Sequence, residues 1–270
     1  APAAATVAGS ITDPPSSTVA LAYDRQREAA DSLVETMRAA PANWFRGSIH
    51  RGARALWVDP FRDFYRCPGI VEKLGNLGDG GKWLCGVDDL LQRPGCVVYS
   101  FGSNGDTSFE EAILERTACS VWTFDPTLSE KATAKVAAVP GLNFTAVGIA
   151  EKDGSVELKG EARPVRTLHT LMQERGHTWI DVLKIDVDGA EWPVLNAFIE
   201  AGRPLPATQT QIEFHLRNAY DAVGTMSGLT KLGMRTFHIE ENNYCGNCPR
   251  NLYEFSLMHV NSRGAIVTSL

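Results

Sequence analysis

Three groups of residues in this chain have types and spacing suited to chemistry. The first is the turn Gly102-Ser103-Asn104-Gly105-Asp106, which follows the apolar run Val97 to Phe101 and precedes a helical stretch from Ser108 to about Thr117. Glycines at 102 and 105 let the backbone approach a ligand with no Cβ in the way, and they permit positive φ. The amides at the start of the helix suit a carboxylate or a phosphate. A second apolar run, Ser120 to Phe124, ends in Asp125, 23 residues after Gly102. That is close to the spacing at which an acid meets ribose hydroxyls in a βαβ cofactor site. Only two glycines are present where the dinucleotide fingerprint has three, which favours a cofactor without a pyrophosphate. S-adenosylmethionine fits, its amino-acid end over the Gly102 turn and its ribose against Asp125. A strand, glycine turn and helix also occur in many α/β proteins, so this segment alone leaves a purely structural reading open.

The second group lies in IDVLKIDVDGAE, residues 180 to 191, where an apolar run passes into Asp186, Asp188 and Glu191 around Gly189. In an open parallel sheet the carboxyl ends of the strands line the ligand crevice, so Asp186 and Asp188 are expected on the same edge as Gly102 and Asp125. The competing reading is that these acids cap the next helix, Glu191 above all. The third group closes an alternating strand, Gln209 to Phe214, with Glu213 and His215.

Methyl transfer from a sulfonium is an in-line displacement, and a hydroxyl acceptor must lose a proton during it. The candidate catalytic residues are therefore Asp186, Glu213 and His215, the last with an ordinary pKa of about 6.5. A core histidine bonded to backbone is the alternative for His215. Asp186, Asp188, Glu213 and His215 also form a candidate magnesium or manganese site, which would acidify a coordinated hydroxyl. Direct binding of the cofactor amine or of acceptor hydroxyls by the acids is the other reading.

The elements that must position these groups follow in order. Leu142 to Val147 reads as the third strand, with Gly148 and Ile149 beside the adenine, where small and apolar residues admit a flat ring. Val156 to Leu158 is a short strand, Thr167 to Arg175 and Trp192 to Ala201 are helices, and Met234 to Ile239 pairs antiparallel with Phe255 to Val260. The segment from Gly75 to Trp83 carries glycines at 75, 78, 80 and 81 and reads as a backbone-lined loop. His238 to Tyr244 reads as a polar loop suited to sugar hydroxyls or simply to solvent. Trp192 reads as packing.

At this point the chain resembles known enzymes. LKIDVDGAEW resembles the motif of FkbM-type methyltransferases. GDGGKWLC followed by CVVYSFGSNGDTSFE resembles the methyltransferase-like group related to methyltransferase-like protein twenty-four. The resemblance runs from about Tyr65 to Val260. It implies an α/β, Rossmann-like class I sheet of seven strands with helices on both faces, a terminal hairpin, and methyl transfer from S-adenosylmethionine, preferably to oxygen. It also implies that Asp79, Gly80 and Gly81 lie beside the methionine end of the cofactor, with Gly102, Ser103, Asn104, Gly105, Asp125, Gly148, Ile149 and Asp186 completing the cofactor site.

The expected acceptor is a hydroxyl of a carbohydrate or glycan, ahead of a phenolic small molecule or a protein side-chain nitrogen. A cofactor-binding interaction module without chemistry is the reading from outside the enzymes; intact Asp125, Asp186 and Glu213 argue against it.

Composition sets the outer limits. A chain of 270 residues with 44% hydrophobic content can bury a full α/β core. Its 26 basic and 32 acidic residues leave a net charge of -6, a poor match for a nucleic acid. Residues 1–64 read as a flexible arm followed by a helical cap, and residues 65–270 as the methyltransferase domain. The arm, Ala1 to Ser17, is rich in alanine, proline, serine and threonine. Leu21, Ala29, Leu33, Val34 and Met37 then recur at helical spacing up to Pro41. No run of eighteen apolar residues exists, so no span of the membrane is expected. The chain begins without methionine, which a removed signal or anchor and a trimmed start explain equally. Six cysteines and the sequon Asn143-Phe144-Thr145 favour the secretory lumen or the exterior over the cytosol, with Cys67–Cys85 and Cys245–Cys248 as expected disulfides. The oligomeric state is not legible.

Overall fold

The computed structural model describes residues 65–158, 160–215, 219–242 and 252–269, and the single positions 28, 31, 32, 35, 39, 58, 61 and 62. Residues 28, 31, 32, 35 and 39, within the expected N-terminal cap, are helical. The arm from Ala1 to Ser17, the apolar positions Leu21, Ala29, Leu33, Val34 and Met37, and the Cys245–Cys248 turn lie outside the described residues.

A hairpin of β1 (Val71–Leu74) and β2 (Lys82–Cys85) leads through the short helix α1 (Val87–Leu90) into the main alternation. That alternation is β3 (Val97–Phe101), α2 (Ser108–Arg116), β4 (Ser120–Phe124), α3 (Glu130–Ala137) and β5 (Leu142–Thr145). A small sheet follows, built from β6 (Gly148–Ile149), β7 (Gly154–Leu158) and β8 (Glu161–Arg166). Then come α4 (Leu168–Glu174), β9 (Ile180–Ile185), α5 (Glu191–Glu200), β10 (Ala207–His215), α6 (Ala219–Lys231), β11 (Met234–Glu241) and β12 (Leu252–His259).

The main sheet has seven strands in the order β11-β12-β10-β9-β3-β4-β5. Strands β5, β4, β3, β9 and β10 run parallel, and β12 pairs antiparallel with both β10 and β11. β3 and β9 are buried at every position, as a parallel sheet covered on both faces requires. One face packs Phe109, Ile113 and Val136 of α2 and α3. The other packs Leu168, Leu171 and Met172 of α4, Val194 and Leu195 of α5, and Met226 and Leu229 of α6. This is the doubly wound architecture with a terminal hairpin that the motifs implied.

Several elements depart from the expectation. α6 was not anticipated because Gly224 and Gly228 interrupt its helical pattern. A Cβ on Gly228 would stand 2.7 Å from the Ile199 side chain, so this glycine is a close helix–helix contact with α5 and not a breaker. β8 escaped notice because EARPVR carries three charges and a proline and is largely exposed; its order comes from antiparallel pairing with β7. His238 to Glu241 continue β11 and are not a loop, since pairing with β12 overrides their polar composition.

The Cys67–Cys85 disulfide forms as expected, with Cα atoms 5.8 Å apart. A second, unanticipated one joins Cys96 to Cys119 at the starts of β3 and β4, with Cα atoms 4.4 Å apart. Among the described residues no helix is long and apolar enough to cross a membrane.

Candidate functional site

The Gly102 turn is built where β3 leaves the sheet. Gly102 has φ +79°, and a Cβ there would lie 1.7 Å from the Asp186 carbonyl oxygen. Its glycine is thus demanded by the neighbouring strand end. The buried Lys184 ammonium donates to the Gly102 carbonyl at 2.5 Å and fixes the same junction from β9. Asn104 adopts φ +47°, which asparagine tolerates better than most residues.

Asp125, at the end of β4, is 2% exposed and organises this turn. Its Oδ2 accepts from the Ser103 amide at 3.0 Å, the Ser103 hydroxyl at 3.2 Å and the Asn104 amide at 2.8 Å. Its Oδ1 accepts from the Thr127 amide at 2.8 Å and the Thr127 hydroxyl at 2.7 Å. Asp125 therefore stands at the expected edge with both oxygens engaged inside the protein.

The loop between β1 and β2 lies across the start of α2. The Asn76 amide donates to Ser108 Oγ at 3.0 Å, and Asn76 Nδ2 to Asp106 Oδ2 at 2.9 Å. Asp106 Oδ1 accepts from the Ser108 amide at 2.9 Å, so one helix-start amide is already taken. Burial would raise the Asp106 carboxyl, but its bonds from Ser108 and Asn76 outweigh that and hold it below the usual range. A Cβ on Gly80 would approach Asp106 Oδ2 to 2.6 Å, and one on Gly81 would approach the Asn76 carbonyl to 2.2 Å. These two glycines let the loop close on the turn. Asp79 stays exposed and accepts from Asn242 Nδ2 at 3.2 Å.

Three of the sequence-predicted acids and bases meet at the ends of β9 and β10. Asp186 is bracketed by the Lys82 ammonium at 3.0 Å and by Lys184 at 3.6 Å. Burial would raise its pKa, but these two cations hold it well below the carboxylate range. Glu213 is 4% exposed and is pushed up to about 9, first by burial and then by the Asp186 charge. It accepts from Asn242 Nδ2 at 2.8 Å. Beside it His215 places Nε2 3.9 Å from Glu213 and 3.1 Å from Asp188.

On its other side His215 faces Glu191, which is 0% exposed. Glu191 Oε1 accepts from the His215 amide at 2.9 Å and lies 3.2 Å from Nδ1. Glu191 Oε2 accepts from the Gly189 amide at 2.7 Å. Glu191 is the first residue of α5, but the N-cap is Ala190 and no side chain bonds the cap, so Glu191 is an acid in the first turn and not the cap expected of it. Burial lowers the imidazole pKa, but the Glu191 bond and charge, with Glu213 and Asp186, outweigh it and raise the value to about 9.

Asp188 touches His215 but projects outward, its side chain 97% exposed, on a backbone with φ +51°. Gly148 and Ile149 are buried on β6, and a Cβ on Gly148 would press on Pro126 at 3.1 Å, next to Asp125. Trp192 packs on Phe214 with ring centroids 4.9 Å apart, and its indole donates to the His215 carbonyl at 3.0 Å.

Four participants were missed. Lys82, 1% exposed, joins Asp186 to Glu254 Oε1 at 2.5 Å; burial disfavours its charge, but Asp186, Glu254 and Glu213 outweigh that and raise its pKa. Lys184 and Glu254 sit within apolar strands, where a buried charge demands a partner. That isolation was their readable signal. Asn242, which bridges Asp79 and Glu213, gave none.

Asp186, Glu213 and His215 bring two carboxylates and an imidazole within 4.8 Å of one another, a donor set that a divalent ion accepts. Their electrostatics point elsewhere: Lys82 and Lys184 already compensate Asp186, while Glu213 and His215 hold protons at neutral pH. The residues do not fit a divalent ion without losing those protons.

The same edge also gathers Asp79, whose carboxylate oxygen lies within 4.8 Å of those of Glu213 and Glu254.

Comparison with known proteins adds the family. The sequence profile described as a methyltransferase domain matches residues 16–257. The probable methyltransferase-like protein 24 of Rattus norvegicus is 28% identical over 158 residues, covering 55% of this chain and 43% of that protein. Its Homo sapiens counterpart is 31% identical over 111 residues, covering 40% of this chain and 30% of that protein. The matched region thus spans less than half the length of these relatives. Among solved structures, an rRNA methylase from Streptococcus thermophilus is 10% identical with a TM-score of 0.41, covering 65% of this chain and 92% of that one. The fibrillarin pre-rRNA processing protein of Methanococcus jannaschii is 11% identical with a TM-score of 0.39, covering 71% and 83%.

Proposed function

Because the chain belongs to the methyltransferase-domain family, we propose that it transfers the methyl group of S-adenosylmethionine to a hydroxyl oxygen, with a carbohydrate as the acceptor. When bound, the cofactor supplies a methyl carbon activated by a sulfonium. The Gly102–Gly105 turn and the Asp79-Gly80-Gly81 loop hold its amino-acid end, Asp125 keeps the turn in shape beside the ribose, and Gly148 and Ile149 border the adenine. Asp186 and its neighbouring acids favour the cationic end of the cofactor.

The observation that carries the oxygen assignment is the Glu191–His215 pair. Glu191 fixes the imidazole through Nδ1 and the backbone amide, which leaves Nε2 toward Asp188 and Glu213. In its neutral form, which grows as pH rises toward about 9, an imidazole oriented by a buried carboxylate is a proton acceptor held in place, as an acceptor hydroxyl requires. The exposed Asp188 side chain yields Nε2 to the acceptor, while Glu213 and Asp186 orient neighbouring hydroxyls. No step needs a divalent ion.

Transfer of a tritiated methyl group into carbohydrate, small-molecule and protein fractions tests this reading. Label in carbohydrate, lost on His215→Gln, supports it; label in protein nitrogen or in a phenol overturns the acceptor class.

The reading includes a compartment. Two closed disulfides, Cys67–Cys85 and Cys96–Cys119, favour synthesis in an oxidising lumen. Protease protection of the native protein in isolated vesicles tests it, and digestion without detergent counts against it.

A further inference from the structure

Asn143-Phe144-Thr145 is an acceptor sequon that methyl transfer does not use. The sequon forms most of β5, the outermost strand of the seven-stranded sheet on the β4 side. Asn143 stands opposite Trp122 in the parallel pairing with β4, and its side chain is exposed. Phe144 points to the opposite face, where it packs against the α2 and α3 core. Thr145, back on the Asn143 face, accepts from Arg175 at 3.4 Å. The strand thus presents the amide and the hydroxyl on one side and anchors itself through the residue between them.

We propose that Asn143 carries an N-linked glycan that shields the open edge of the sheet. The inference rests on the lumenal compartment proposed above. Asn143 Nδ2 donates one proton to the Val121 carbonyl at 3.1 Å, so its second amide hydrogen is the one replaced. In the transfer, Nδ2 bonds to the anomeric carbon of an oligosaccharide, that carbon's bond to the diphosphate of a polyprenyl-linked donor breaks, and the amide proton leaves. The bond to Val121 survives, because a glycosylated amide keeps one N–H.

The edge itself calls for such a shield. Among the described residues no strand pairs beyond β5, and its sequence LNFT has neither a charge nor a proline. Those are two of the devices that stop an edge from adding a strand of another molecule; shortness is another, and the four residues of β5 supply only that one. A bulky hydrophilic group at position 143 does the same work.

The test uses the full chain produced behind a secretion signal in a eukaryotic host, with Asn143→Gln, Thr145→Ala and Thr145→Ser alongside. The expected result is one glycan mass, removed by an N-glycan amidase, present in the parent and in Thr145→Ser and absent from the other two. A secreted parent at its unmodified polypeptide mass overturns the site. Because the signal is supplied, that failure leaves the native compartment, read by protease protection, undecided. Sedimentation reads the shield: Asn143→Gln, with methyl transfer unchanged, should self-associate at lower concentration than the glycosylated parent. Equal association overturns the shielding role.

Discussion

The Lys82 ammonium lies 3.0 Å from the Asp186 carboxylate and ties the β1–β2 hairpin to the end of β9. A third group, Glu254 of β12, takes the same cation at 2.5 Å, so three separate elements meet on one buried charge. Lys82→Met leaves the buried Glu254 without its ion pair and Asp186 with Lys184 alone. Breaking a buried pair on one side typically costs about 3–5 kcal/mol. Denaturant unfolding should show a loss of that order, with methyl transfer falling alongside; an unchanged midpoint would show the bridge to be inert.

Under the proposed mechanism His215 sets the pH response of the reaction. Its pKa is raised to about 9, so the proton-accepting form grows as pH rises toward that value. Activity should therefore climb from pH 7 to 9, and His215→Gln should lower turnover by roughly 10²–10⁴-fold, the usual contribution of a positioned base. A flat profile in the parent enzyme would remove His215 from the chemistry.

Stability should move the opposite way. Raised folded-state values at His215 and Glu213 mean that the native protein binds more protons than the unfolded chain. The His215 contribution is fully present below its unfolded value of about 6.5 and is lost as pH rises through about 9. Glu213 acts in the same direction from its unfolded value of about 4.3 upward. Melting temperature should fall between pH 6 and 9, and a rise over that range would contradict the assigned protonation.

Gly102→Ala meets two penalties. Positive φ alone costs on the order of 1–2 kcal/mol for a residue with a Cβ, and the added carbon would stand 1.7 Å from the Asp186 carbonyl. The strand end must shift, so calorimetry should show weaker binding of S-adenosylmethionine together with reduced stability. Parent-like values in both would mean the junction is soft.

Asp125→Ala removes the acceptor of five hydrogen bonds from Ser103, Asn104 and Thr127. Orphaned buried donors cost about 1–3 kcal/mol each where water cannot reach them. Cofactor affinity should fall because the turn loses its shape. Unchanged binding in a folded variant would separate Asp125 from the cofactor site.

Much of this was readable in the chain because the parallel strands announce themselves. VVYSF and IDVLKI are short apolar runs closed by glycine or aspartate, and their order fixes the crevice edge where Asp186, Glu213 and His215 were expected and are found. What stayed hidden depends on contacts between distant segments. Nothing local in GDGGKWLC shows that Lys82 turns inward to Glu254, 172 residues away. The role of Gly228 is likewise set by Ile199 on another helix. Glu191 was legible as an acid at a helix start, and only the fold shows that its carboxylate grips His215.

The placement of β12 between β10 and β11 has a consequence for biosynthesis. Because β12 inserts between β10 and β11, Lys82 has no Glu254 to meet until residue 254 has left the ribosome. Until then the nascent protein must hold a partly matched ammonium and an open gap in its sheet. Completion of this part of the sheet thus depends on contacts of long sequence separation, which form slowly.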